Sequence, residues 1–364
     1  MSKARTPDEV KKDIRDRIGR RAPFLHADQT EAEEALEKMT TFEGETWAAA
    51  WNDLGARWEE KANAAEKARN SAQAQAAFLK SYGYYGIARH PFPSTPGKIH
   101  GYRKTREMFL AASKYFDIPV APVSIPFQNK MIVGHLRLPE KRPAPMVMHW
   151  GGIDNWKEER HSFGEAFVKE GWGCFIIDSP GTGECPMRAG PDAHQVHLAV
   201  LDYLLNRPEV DRNKIAVVGA SFGGYWSTKL AHIAPEKLCA AVNWGGGIHY
   251  FFQPEWQERS RHADSYLFDL IEARANLFGK KTFEELCRVM PALSLLDQGW
   301  LDKPCAPLLI VNGKEDKQVP LEDFYLLLEH GDPKAIRLFP GGHMGSIPNI
   351  FKTIIAWLHR KLDD

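Results

Sequence analysis

Apolar residues follow two different rhythms along this chain. From residue 29 to 80 they recur at helical spacing in an Ala-, Glu-, Lys- and Gln-rich background, as in TWAAAWNDLGARWEEKANAAEKA and AQAQAAFLKSYGYYG. Trp47, Trp51 and Trp58 stand at i, i+4 and i+11, on one face of one helix. RHPFPSTPGK breaks the pattern, GYRKTREMFLAASKYF restores it, and the proline-rich IPVAPVSIPF ends it. The spacing predicts a helical accessory unit over 1–120. Beyond it come short β-branched runs: KMIVGHLRLP, PMVMHWGG, GCFIIDSPG, KIAVVGAS, LCAAVNWGGG and PLLIVNGKED. Several lead into glycine and then a helical pattern, which predicts an α/β domain over 121–364 with a mainly parallel sheet covered by helices on both faces. About sixty residues separate the last two runs, far more than a crossover needs, and SYLFDLIEARANLFG and TFEELCRVM inside them read as helices. Residues 248–300 are accordingly expected to form a helical cap insertion over the carboxyl ends of the strands.

Composition narrows the class. Lys plus Arg and Asp plus Glu each number 47 of 364 residues, so charge balance gives no reason to expect nucleic acid or an anionic membrane as partner. The five cysteines are odd in number and without close pairs, which argues against a disulfide scaffold or zinc knuckle. MSKARTPDEVKKDIRDR lacks an apolar leader, and no run approaches the roughly 18 apolar residues of a membrane span. A soluble cytoplasmic protein is the expectation. The fourteen histidines form no HExxH or similar cluster, DSPGTGECP lacks the third glycine of a dinucleotide fingerprint, and no Walker lysine pattern occurs. No metal and no cofactor are expected.

The chemistry gathers around VVGASFGGYW. Gly219-Ala220-Ser221-Phe222-Gly223 fits a nucleophile elbow, where a serine sits on a sharp turn from strand IAVVG into helix SFGGYWSTKLAHIA. A serine hydroxyl needs a base to take its proton and an acid to orient that base. His343, behind two glycines in AIRLFPGGHMGS, is the expected base, and Asp316, in the loop after LLIVNG, its orienter; Glu315, Asp297 and Asp302 are rivals for the acid. An acyl transition state also needs oxyanion donors. The backbone N–H of Phe222 is the first, and the N–H of Gly152 or Ile153, in HWGGIDNWKEE, the second. His149, Trp150 and Trp156 read as packing residues, and Asp178 and Glu184 as loop-fixing ones.

With the elbow, the late Asp and the later His in this order, the chain resembles an α/β-hydrolase. GGIDNWKEE, DSPGTGE and GASFGG together resemble the family that contains 2,6-dihydroxypseudooxynicotine hydrolase and the fermentation-respiration switch esterase-like proteins. The resemblance covers about 120–364, and the helical leader suits it too. It implies the triad Ser221, Asp316 and His343, the N-terminal helices as a lid, and a homodimer. Members of that family cleave esters or carbon–carbon bonds beside a ketone, the latter assisted by an extra glutamate near the pocket; Glu255 is the nearest counterpart here.

Aromatic residues in the two covering segments, among them Tyr84, Tyr85, His90, Tyr250, Phe251 and Trp256, are expected to favour a small aromatic or apolar substrate. The leading expectation is hydrolysis of a carboxylic ester or carbamate through an acyl-enzyme. Carbon–carbon bond hydrolysis is the alternative, and a noncatalytic small-molecule receptor is the alternative of another class.

Overall fold

The computed structural model describes residues 6–261, 266–330 and 334–363. The chain divides into two compact units, one of residues 1–120 with Leu267–Asp269 and one of the remainder from Ala121. The cap insertion expected over 248–300 therefore contributes three residues to the helical unit, and its positions 262–265 lie outside the described residues.

The helical unit contains α1 (Pro7–Arg17), α2 (Gln29–Lys38), α3 (Gly44–Lys67), α4 (Ser71–Arg89) and α5 (Pro96–Ser113). Thr6, Asp28, Asn70 and Thr95 each turn a side-chain oxygen back onto the first-turn N–H groups of α1, α2, α4 and α5, satisfying donors that a helix start otherwise leaves open. The tryptophan face of α3 is the core: Trp47 and Trp51 are fully buried, and the Trp47 indole N–H donates to the Ile87 carbonyl on α4. Tyr84 and Tyr85 belong to this core rather than to a substrate pocket. Tyr84 stacks on Trp51 and bonds Glu31, while Tyr85 donates to Glu59 at 2.8 Å. Among the described residues no helix is long and apolar enough to cross a membrane.

The second unit is an α/β-hydrolase core. Its sheet comprises β1 (Ala121–Phe127), β2 (Lys130–Arg137), β3 (Ala144–Trp150), β4 (Gly173–Ile177), β5 (Val210–Ala220), β6 (Ala240–Trp244), β7 (Leu308–Gly313) and β8 (Lys334–Phe339). They lie in the order β1-β2-β4-β3-β5-β6-β7-β8, with β1 and β2 antiparallel and all pairings from β4 to β8 parallel. Helices α6 (His161–Lys169), α7 (Gln195–Leu205), α8 (Phe222–Ile233), α12 (Glu322–Glu329) and α13 (Ile347–Leu362) cover it, and the insertion after β6 supplies α9 (Pro254–Ser260), α10 (Leu270–Leu277) and α11 (Phe283–Val289). The central strands are buried on both faces: every residue of β4, β6 and β7 is buried, and apart from Asn243 and Asn312 their side chains are apolar.

Register sets the geometry of the site. Trp150 pairs with Gly219, Ala220 with Trp244, Trp244 with Val311, and Gly313 with Phe339. Neighbouring strands among β3, β5, β6, β7 and β8 thus end within two residues of one another, and the segments that follow them emerge along one edge of the sheet.

Candidate active site

Ser221 occupies the turn from β5 into α8 with φ 56° and ψ −127°, a region that a side chain with a Cβ rarely enters. Bonds on both sides hold it there: its N–H donates to Trp244 O at 2.7 Å, and its carbonyl accepts from Gly224 N at 2.7 Å. The two flanking glycines make the bend sterically possible. A Cβ on Gly219 would lie 1.9 Å from Gly223 O, and one on Gly223 would lie 2.5 Å from Gly151 O. Trp150 closes the knot by donating its indole N–H to Gly223 O at 2.8 Å.

His343 comes from the loop after β8, and its Nε2 stands 2.8 Å from Ser221 Oγ. Its Nδ1 stands 2.7 Å from Asp316 Oδ2. The Asp316 side chain is wholly buried and receives three further hydrogen bonds, from Asn312 Nδ2 to Oδ2 and from the N–H groups of Gln318 and Val319 to Oδ1. Burial pushes this carboxyl up, but the adjacent His343 and the converging donors outweigh it and hold Asp316 below the usual aspartate range. A carboxylate at Nδ1 fixes the proton there and leaves the Nε2 lone pair facing the serine hydroxyl. Asn312 also holds the histidine loop, accepting from Met344 N at 3.0 Å.

The rival acids have other positions. Glu315 accepts from Gly341 N and so braces the base of the histidine loop. Asp297 lies 3.9 Å from His249, and Asp302 3.4 Å from His330, both largely exposed.

The segment after β3 approaches the serine closely: a Cβ on Gly152 would meet Ser221 Cβ at 2.7 Å and Oγ at 3.0 Å. Behind it stands a buried ionic cluster. Lys157 Nζ contacts Asp178 at 2.9 Å and Glu158 and Glu184 at 2.8 Å each, while Asp178 also accepts the backbone N–H groups of Lys157 and Glu184. Burial pushes the Asp178 carboxyl up, yet the Lys157 charge and these donors keep it below its ordinary value. His149 is fully buried, accepts from Arg160 Nε at 2.9 Å and donates Nδ1–H to Val218 O; burial and the Arg160 charge keep it neutral. It supports the loop through Arg160, which bonds Asn155 at 2.9 Å.

In front of the serine is a cavity of about 20 Å³ bordered by Ser221, His343, Ile153, Phe222, Phe251 and Arg274, together with Gly247, Gln318 and Val319. Of the aromatic residues expected around it, Phe251 is present. Asp323 shapes this wall: its carboxylate accepts from the consecutive N–H groups of Ile248, His249, Tyr250 and Phe251. Glu255 is exposed in the first turn of α9 and does not border the cavity. Arg274 does, and sequence reasoning missed it, because its place in EARANLF reads as an ordinary charged position on a helix.

The chain matches the Esterase FrsA-like family over residues 7–362. It belongs to the FrsA-like family of α/β-hydrolases. Esterase FrsA of Photobacterium profundum is 26% identical over 352 residues, spanning 91% of this chain and 80% of the relative. The 20-hydroxy-prefusarin hydrolase of Gibberella moniliformis is 26% identical over 337 residues, 80% of this chain and 79% of the relative. In structure this FrsA-like chain is similar to 2,6-dihydroxy-pseudo-oxynicotine hydrolase, with TM-score 0.78 at 22% identity over 97% of this chain and 95% of that one. Family membership makes it a hydrolase.

Proposed function

We propose that Ser221, His343 and Asp316 form the catalytic triad of a serine-dependent hydrolase, with the N–H of Phe222 and that of Gly152 or Ile153 receiving the oxyanion. The observation that carries this reading is the unbroken line of hydrogen bonds from Ser221 Oγ through His343 to Asp316. The Oγ–H proton passes to His343 Nε2 as Oγ bonds to the substrate carbonyl carbon. The bond to the leaving group then breaks, its electron pair departs with that group, and His343 returns the proton to it. Water attacks the acyl-enzyme, His343 takes its proton, and the acid leaves with Ser221 restored.

For the bond cleaved, we favour a carbon–carbon bond beside a ketone, where the leaving carbon departs as an enolate. The whole-chain likeness to 2,6-dihydroxy-pseudo-oxynicotine hydrolase, helical unit included, supports it. Ester or carbamate cleavage is the second reading, favoured by the name of the matched family. Both share the acyl-enzyme and differ in the demand on the leaving group. The test is fluorophosphonate labelling with peptide mapping and a Ser221→Ala control, followed by kcat/KM on β-diketones against aryl esters. Labelling at Ser221 with faster turnover of β-diketones is the expected result. A folded protein that fails to label and hydrolyses neither series would refute the nucleophile assignment, and aryl esters turned over faster would reverse the bond preference.

A further inference from the structure

Among the described residues, Arg274 is a cation with unused donors at the wall of the cavity that Ser221 and His343 border. It is 2% exposed on α10, and its Nη1 donates to Gln257 Oε1 at 2.8 Å and to Ser260 Oγ at 2.7 Å, both on α9. Among the described residues it forms no ion pair, and its Nε and Nη2 donate to no protein acceptor. Asp316, the site carboxylate whose charge acts on Arg274, already receives four hydrogen bonds from His343, Asn312, Gln318 and Val319. Burial lowers the guanidinium pKa to about 10, so the group remains charged at neutral pH. Among the described residues this cation is held by neutral oxygens on one nitrogen and by the face of the Phe251 ring, 5.1 Å from its centre, and a buried charge without an anionic partner is costly. An arginine whose role was to tie α9 to α10 would direct its remaining N–H groups to protein acceptors as well.

We propose that Arg274 is a specificity-determining residue that binds a carboxylate of the substrate. The free edge of a guanidinium presents parallel N–H donors that match the two oxygens of a carboxylate. The rest of the wall is mainly apolar, with Ile153, Phe222, Phe251 and Val319, so the substrate class is a small apolar acyl compound carrying one negative charge. This deepens the reading of Ser221 as nucleophile and rests on it for turnover, whereas binding of the carboxylate stands independently.

The test uses substrates matched in shape: p-nitrophenyl hydrogen glutarate against p-nitrophenyl valerate, and acetopyruvate against acetylacetone. The wild-type protein is expected to prefer the carboxylate member by at least about 10-fold in kcat/KM. In Arg274→Met that member should lose roughly 100-fold while the neutral one changes less than about 3-fold. Arg274→Lys, which keeps the charge but loses the paired edge, should fall between. Equal losses for both members, or a wild-type preference for the neutral one, would overturn the proposal. If Arg274→Met gives no cooperative melt, the wild-type preference and Arg274→Lys decide. Calorimetric binding of glutarate and acetopyruvate to Ser221→Ala, with and without Arg274→Met, separates the two readings. Arg274-dependent binding without turnover in the wild type would sink the nucleophile and keep the carboxylate site, while turnover without Arg274-dependent binding would do the reverse.

Discussion

Replacing Asp316 by asparagine tests the positioning of the base through a conflict built into the site. Oδ2 accepts from His343 and Asn312, and Oδ1 accepts from Gln318 and Val319. Whichever way an asparagine amide is turned, its NH2 faces two donors, so two charge-assisted bonds are lost. At about 1.5–3 kcal/mol each, the expected destabilisation is roughly 3–6 kcal/mol, measured by urea denaturation. If the amide NH2 faces His343, the proton moves to Nε2 and the base loses its lone pair toward Ser221. The expected fall in kcat is about 10⁴-fold, about 5.5 kcal/mol of barrier. Stability should also lose part of its pH dependence. The folded carboxyl titrates below the ordinary aspartate value of 3.8, so its contribution is present above about pH 4 and is lost as pH falls through the folded value. Asp316→Asn should flatten that acid limb. A variant that retains activity within 10-fold of wild type, labels normally with a fluorophosphonate and melts like wild type would refute the orienting role.

Gly152→Ala places a methyl 2.7 Å from Ser221 Cβ and should lower kcat on the order of 100-fold with little change in melting, whereas unchanged turnover would show that the loop yields freely. Lys157→Met leaves Asp178, Glu158 and Glu184 facing one another without their shared cation. It should cost about 3–5 kcal/mol in urea denaturation, and a loss below about 1 kcal/mol would mean that those carboxyls neutralise at little cost.

What the sequence makes legible is what chain order and local pattern encode. The elbow is contiguous, and the strand–loop rhythm that sets Asp316 and His343 behind the last two strands is itself written in runs such as LLIVNG. The helical leader is legible for the same reason, since Trp47 and Trp51 mark the buried face of α3. Tyr84 and Tyr85 show where the inference stops: aromatic residues next to glycine suit a pocket wall and a helix–helix contact alike, and only packing against Trp51 and Glu59 decides. Glu255 and Arg274 make the same point at the site. Both are charged residues on short insertion helices, and what separates an exposed one from one at 2% exposure is the fold of distant segments, which one helix's spacing does not record.

The left-handed backbone at Ser221 also bears on how this protein can change. A glycine would adopt φ 56° without the strain that a side chain brings, on the order of 1–3 kcal/mol. Ser221→Gly is then expected to melt higher than the active protein while turning over nothing. Selection of variants by heat resistance alone would enrich this replacement, so a stability screen on this chain would have to be run alongside an activity screen to avoid recovering inert molecules.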